Sequence, residues 1–226
     1  MKLSNEFLVM AAVGLTLGGA NAAYIIEVDT DGLDDGNLTF SPDFSFGGDT
    51  TTASQSSAGS AVGLTGGDSI FGGNGTAMAD SYVFTYSPDS QADNLALASG
   101  DDLGAGNTAS GVLGGTPGIY SIYVTWPSSG NISGDPINFD VTTAGDSLSN
   151  SFNTNNTGDE WFLIGTVNYT SGPITLTQSS TANTFVSMRS AGALFEQTTV
   201  PEPGVSLLLA ASSLGLFGLR RRQAIR

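Results

Sequence analysis

The chain has 226 residues, no His and no Cys, and 21 Asp plus Glu against six Lys plus Arg, for a formal net charge of −15. Those absences exclude a Ser-His-Asp triad, a thiol nucleophile, a disulfide framework, zinc sites of the usual kind and haem held by His or Cys. Nucleic acid is a poor partner too, because a polyanion is bound by Lys and Arg, and between residues 23 and 199 Arg189 is the only base among 19 acids.

In chain order, residues 1–22 read as a secretory signal peptide. Lys2 precedes an apolar run from Phe7 to Leu17, and Ala20-Asn21-Ala22 forms a small-x-small cleavage site before Ala23. Export by the general secretion machinery is expected, and the chain from Ala23 onward is the expected mature protein.

Residues 23–199 read as one acidic β domain. Gly is abundant there, and segments rich in β-branched and aromatic residues alternate with Gly, Asn, Asp and Pro clusters, a strand-and-turn pattern. Expected strands are Tyr24 to Val28, Tyr82 to Tyr86, Ile119 to Trp126, Ile137 to Thr142, Trp161 to Val167, Ile174 to Thr177 and Phe185 to Met188. In Ile119 to Trp126, the residues Tyr120, Ile122, Val124 and Trp126 share one face at a period of two, and Pro127 ends the run. Gly165 is expected to mark a bulge. The stretches 49–75 and 98–118 read as long loops, the first of them mobile. With no sustained helical periodicity, the fold class is all-β: a two-sheet, jelly-roll-like sandwich between the signal peptide and a C-terminal apolar segment.

The run Gly118-Ile119-Tyr120-Ser121-Ile122-Tyr123-Val124-Thr125-Trp126-Pro127, followed by Ile137 to Thr142, Trp161-Phe162-Leu163-Ile164-Gly165-Thr166 and Phe185-Val186-Ser187-Met188-Arg189, resembles the golvesin C-terminal, xanthan-lyase carbohydrate-binding-like domain. That family carries a G-x-Y-x-V-Y-x-x-W-P strand and a later W-x-x-L-G-T element. Ser187-Met188-Arg189 departs from its V-A-D-A-V-R type ending. The resemblance implies a β-sandwich first and a glycan ligand second.

Two constellations are candidate sites. Tyr123, Trp126 and Trp161 are aromatic rings on which sugars could stack. The two Trp follow the apolar phase of their strands and suit the core, whereas Tyr123 lies in the opposite phase and is the better exposed platform. Asp29, Asp31, Asp34 and Asp35 put four carboxylates within seven residues, a hard-oxygen set suited to calcium or else a solvated acidic turn; the EF-hand pattern fails at Leu33. Asp101-Asp102 is a weaker acidic cluster. No carboxylate pair stands out for catalysis, so no enzyme is expected; Glu160, beside Trp161, is the first residue a hydrolase hypothesis would mutate.

At the C-terminus, Val200-Pro201-Glu202-Pro203 precedes the charge-free segment Gly204 to Leu219 and then Arg220-Arg221-Arg222. Those 16 apolar residues span about 24 Å as a helix against a hydrocarbon core of ~30 Å, a short membrane segment whose arginines would stay on the inner side. The order of motif, apolar helix and basic cluster resembles the PEP-CTERM sorting signal of Gram-negative bacteria. That resemblance implies an exosortase as partner, cleavage near Pro-Glu-Pro, and delivery to the cell envelope, surface or extracellular matrix. The reading as a whole is an exported, non-enzymatic surface protein whose sandwich meets extracellular polysaccharide. The alternative is a purely structural matrix or adhesion protein, and less favoured is a small carboxylate hydrolase.

Overall fold

The computed structural model describes residues 23–47, 52–54, 58–72, 81–89, 97–112, 114–130, 136–180 and 188–199. The expected signal peptide with Ala20 and Ala22, and the sorting tail from Val200 to Arg226, lie outside the described residues.

All regular structure among the described residues is β. In chain order the strands are β1 Ala23–Glu27, β2 Phe44–Gly47, β3 Thr52–Ser54, β4 Ser69–Gly72, β5 Ser81–Tyr86, β6 Asp102–Gly104 and β7 Asn107–Thr108, then β8 Gly118–Thr125, β9 Ile137–Thr142, β10 Ser147–Phe152, β11 Phe162–Tyr169, β12 Ile174–Ser179, β13 Met188–Ser190 and β14 Gly192–Thr199. Two sheets form the sandwich: sheet I in the order β1-β14-β8-β11 and sheet II in the order β10-β9-β12-β5-β2, with antiparallel neighbours throughout. A small sheet β13-β4-β3 and a two-stranded ribbon β6-β7 complete the topology.

The alternation written into each strand sets what the sheets bury. From β8, Tyr120, Ile122 and Val124 join Tyr24, Ile26, Val167 and Phe195 of sheet I against Phe84, Phe139, Val141 and Leu176 of sheet II. Burying such side chains contributes about 1.5–3 kcal/mol each, so this shared layer is the main source of stability. Aromatic packing ties the layers: Tyr24 of sheet I stacks on Tyr86 of sheet II at 4.6 Å between centroids, and Trp126, which follows β8, lies 6.0 Å from Phe139 of β9. The register of β11 on β8 shifts between Leu163 and Gly165, the bulge expected at that glycine. Ile164 Oxygen at the bulge accepts the Asn150 side-chain amide at 3.0 Å, which joins an edge of sheet I to an edge of sheet II.

Both stretches read as loops carry strands, 98–118 holding the ribbon β6-β7, and one strand of sheet I was not foreseen. The stretch 49–75 is not simply a mobile loop: it carries β3 and β4, and its residues 58–68 lie against the outer face of sheet I, with Ala61 only 4% exposed. The strand β14, the second position in sheet I, was not expected at all. It starts at Gly192, and its apolar residues Ala193-Leu194-Phe195 run together before Glu196-Gln197-Thr198-Thr199, without the period-two alternation that marks a strand in sequence.

Candidate ligand-binding surface and the acidic loops

The outward phase of sheet I is covered. Ala23, Tyr123 and Leu194 point away from the main core and pack under Ala61, Leu97, Leu103, Ala109 and Trp161, contributed by the segments 58–68 and 97–112 and by the residue preceding β11. Tyr123 is therefore 4% exposed, Trp126 1% and Trp161 0%. None of the three presents a ring to a sugar. The phase assigned to Tyr123 is correct, but a second hydrophobic layer covers the face it points to. Each Trp also has its indole N–H bound internally, Trp126 to the Thr157 carbonyl at 3.0 Å and Trp161 to the Val62 carbonyl at 2.9 Å. Buried indoles with satisfied donors hold loops in place.

Carboxylates pin the covering segments by accepting backbone N–H groups. Glu27 accepts from Thr65 N–H and its hydroxyl, Glu160 from Ala105 N–H, Asp101 from Ala98 N–H, and Glu196 from Ser110 N–H. In a chain with almost no internal Lys or Arg, acids find their partners among amides rather than cations, and such charge-assisted bonds are the stronger kind. Burial pushes the Glu196 carboxyl above its ordinary range, against the Ser110 and Tyr123 groups that pull it down. Burial likewise raises Glu27, where the Thr65 hydrogen bonds oppose the shift.

The four aspartates expected to hold calcium are spread across one loop in different roles. Asp29 is 1% exposed; its Oδ1 accepts from Thr39 N–H at 2.7 Å and its Oδ2 from Asp68 N–H at 3.1 Å. Asp31 accepts from Leu33 N–H and the Thr39 hydroxyl, and Asp35 from Asn37 N–H, local turns of the Asx type. Asp34 instead lies against a fifth acid, Asp68, which the sequence reading missed because it is 34 positions away. Among the described residues no group of three or more acidic side chains converges closely enough to hold a metal ion. The two loops meet closely because residue 67 is glycine: a Cβ there would stand 2.8 Å from Asp29 Oδ2.

Sheet II differs. Its outward residues on β9 and β10 are Asn138, Asp140, Thr142, Ser147, Ser149 and Ser151, all exposed. Asn138, Asp140, Ser149, Asn150 and Ser151 line a shallow depression of about 430 Å³. Ser149 donates to Asp140, and Asp140 is the only acid in that lining. The exposed aromatic surface is at another place: Phe40 and Phe46, 38% and 46% exposed, lie 5.1 Å apart beside the edge strand β2. The sequence signal for this pair was present in Phe40, Phe44 and Phe46, but strand phase was assigned only to longer runs.

No family model matches the sequence, and no curated protein matches it either. Among solved structures, the chain is similar to a Paenibacillus xanthan lyase, with a TM-score of 0.51 at 18% identity over 81% of this chain and 14% of the lyase. A weaker likeness is to a Podospora anserina GH26-CBM35 β-(1,4)-mannanase, with a TM-score of 0.39 at 16% identity over 81% of this chain and 29% of that one. The chain thus spans less than a third of either protein, and what the first likeness shows is the β-sandwich fold.

Proposed function

We propose that this chain is an exported, non-catalytic protein whose β-sandwich binds extracellular polysaccharide through the outer face of sheet II. The observation that carries the reading is the open depression into which the outward amide and hydroxyl side chains of Asn138, Ser149 and Ser151 project around a single carboxylate. Such groups match the hydroxyl pattern of a sugar chain by direct and water-mediated hydrogen bonds. A likeness in fold to a xanthan lyase supports polysaccharide as the ligand class. The signal-like N-terminus and the Pro-Glu-Pro tail support export, exosortase sorting and an envelope or matrix location.

The non-catalytic part of the proposal rests on where the acids are. A glycosidase needs two carboxyl groups about 5–10 Å apart across a substrate cleft. The depression lines itself with one, and Glu160 is occupied by the Ala105 amide.

Affinity electrophoresis of the full-length chain in gels containing xanthan or a neutral galactomannan tests the reading. Retardation that is lost in an Asn138→Ala/Ser149→Ala double variant is expected. Equal migration with and without either polymer would overturn it in favour of the second reading, a structural matrix protein without a glycan site. Burial of Tyr123, Trp126 and Trp161 favours that second reading, since it removes the stacking platform expected from sequence.

A further inference from the structure

The register of sheet II lines its outward side chains up in rows that cross the strands. One row runs Ser151 of β10, Asn138 of β9, Ser179 of β12 and Ser81 of β5. The next runs Ser149, Asp140, Thr177, Val83 and then Ser45 of β2. A third holds Ser147, Thr142, Thr175 and Thr85. The alternate residues of these strands, among them Phe139, Val141, Leu176 and Phe84, lie in the core, so the members of each row face outward. Those on β9, β10 and β2 are exposed, and those on the inner strands β12 and β5 are half-buried.

The depression beside Asp140 is therefore one end of a continuous polar face. Val83 is the one wholly apolar side chain in the three rows and Asp140 the one charged side chain; the others end in a hydroxyl or an amide. Four steps of ~4.8 Å between five strands make the face about 19 Å long across the strands, whereas three rows two residues apart span about 14 Å along them. Hydroxyls and amides both donate and accept, and the Asp140 carboxylate accepts only. Such a face matches a ligand built of hydroxyls. It opposes one that carries carboxylates, because Asp140 repels them and the rows hold no base to receive them. Arg189, the single base of residues 23–199, lies over the Phe71 ring in a different sheet.

We propose that sheet II binds a neutral polysaccharide laid across its strands, held by the row hydroxyls from β10 to β5, and discriminates against acidic polymers. The inference rests on the polysaccharide reading given above and adds the extent of the site and the class of glycan. A single neutral hydrogen bond exchanged with water contributes little, so affinity comes from many of them and grows with ligand length until the chain covers the face.

The test is affinity electrophoresis of the full-length chain in gels containing galactomannan, polygalacturonate or xanthan, with manno-oligosaccharides of increasing length as competitors. Retardation by galactomannan and not by polygalacturonate is expected, with competition that strengthens with oligosaccharide length and levels off once the span reaches about 19 Å. A Ser81→Ala/Thr177→Val double variant changes β5 and β12, outside the depression, and should weaken retardation about tenfold at an unchanged melting temperature. Thr177→Ser keeps the hydroxyl and should bind as the parent does. Retardation by polygalacturonate or xanthan without retardation by galactomannan would overturn the neutral class and leave the polysaccharide reading standing. A Ser81→Ala/Thr177→Val chain retarded like the parent, while Asn138→Ala/Ser149→Ala is not, would overturn the extended face and confine the site to the depression. Equal migration with and without all three polymers would remove the polysaccharide reading and this inference with it.

Discussion

The outer faces of the two sheets are made from different residues and end in opposite states. Sheet I carries Ala23, Tyr123 and Leu194 outward, and segments 58–68 and 97–112 fold over them to make a second apolar layer. Sheet II carries Asn138, Asp140, Ser149 and Ser151 outward and stays bare. The difference lies in one or two outward apolar residues in each of β1, β8 and β14. Once a face has an apolar row, Gly-rich segments with a few Leu, Ala and Trp can coat it, and carboxylates hold them there through backbone amides. A sandwich built this way keeps one face for stability and leaves the other for a ligand.

Removing the anchor of the coated face should break this comparison most visibly. Trp161→Ala deletes a fully buried indole and its bond to the Val62 carbonyl, so a loss of about 3–5 kcal/mol is expected in denaturant unfolding. A loss under ~1 kcal/mol would mean that the second layer is dispensable. Next in size is Gly67→Ala. The added methyl would meet Asp29 Oδ2 at 2.8 Å and force the two acidic loops apart, an overpacking effect of about 1–3 kcal/mol by the same measurement.

The carboxylate pins give the coated face a pH signature. Burial raises the Glu196 carboxyl above its ordinary value near 4.5, so the folded chain takes up that proton before the unfolded chain does. Stability contributed by this group therefore falls as pH rises from the unfolded value through the folded one, and is recovered on acidification. Glu196→Gln keeps an oxygen for the Ser110 N–H and removes the titration. Its unfolding free energy should vary less steeply with pH across that window than that of the parent chain, as followed by urea titrations at a series of pH values. An unchanged slope would mean that Glu196 does not titrate differently in the two states.

How much of this was legible in the sequence depends on how local the information is. The period-two run around Ile122, the strand Ile137 to Thr142 and the bulge at Gly165 are carried by neighbouring residues, and the structure has them. The strand β14 is not legible locally. Its Glu196 and Gln197 are buried because Ser110, Thr116 and Tyr120, some 80 residues earlier, supply hydrogen-bond partners. Tyr123 shows a second limit. Strand phase tells which face a residue joins, and only the path of distant segments tells whether that face meets water. Asp68 shows the third, since its contact with Asp34 exists only because two loops meet.

The smallest expected effect sharpens the comparison from the bare side. Asn138→Ala and Ser149→Ala alter exposed residues of sheet II, and surface changes of that kind shift stability by no more than about 0.5 kcal/mol. If the face is kept for a ligand, the same double variant should lose retardation by polysaccharide while its unfolding midpoint stays where it was. That split between binding and stability is the mark of a functional face, because a structural face loses both together, as Trp161 should. A double variant that unfolds several degrees earlier would instead place Asn138 and Ser149 among the residues that hold β9 to β10, and would make the bareness of sheet II a matter of solvation rather than recognition.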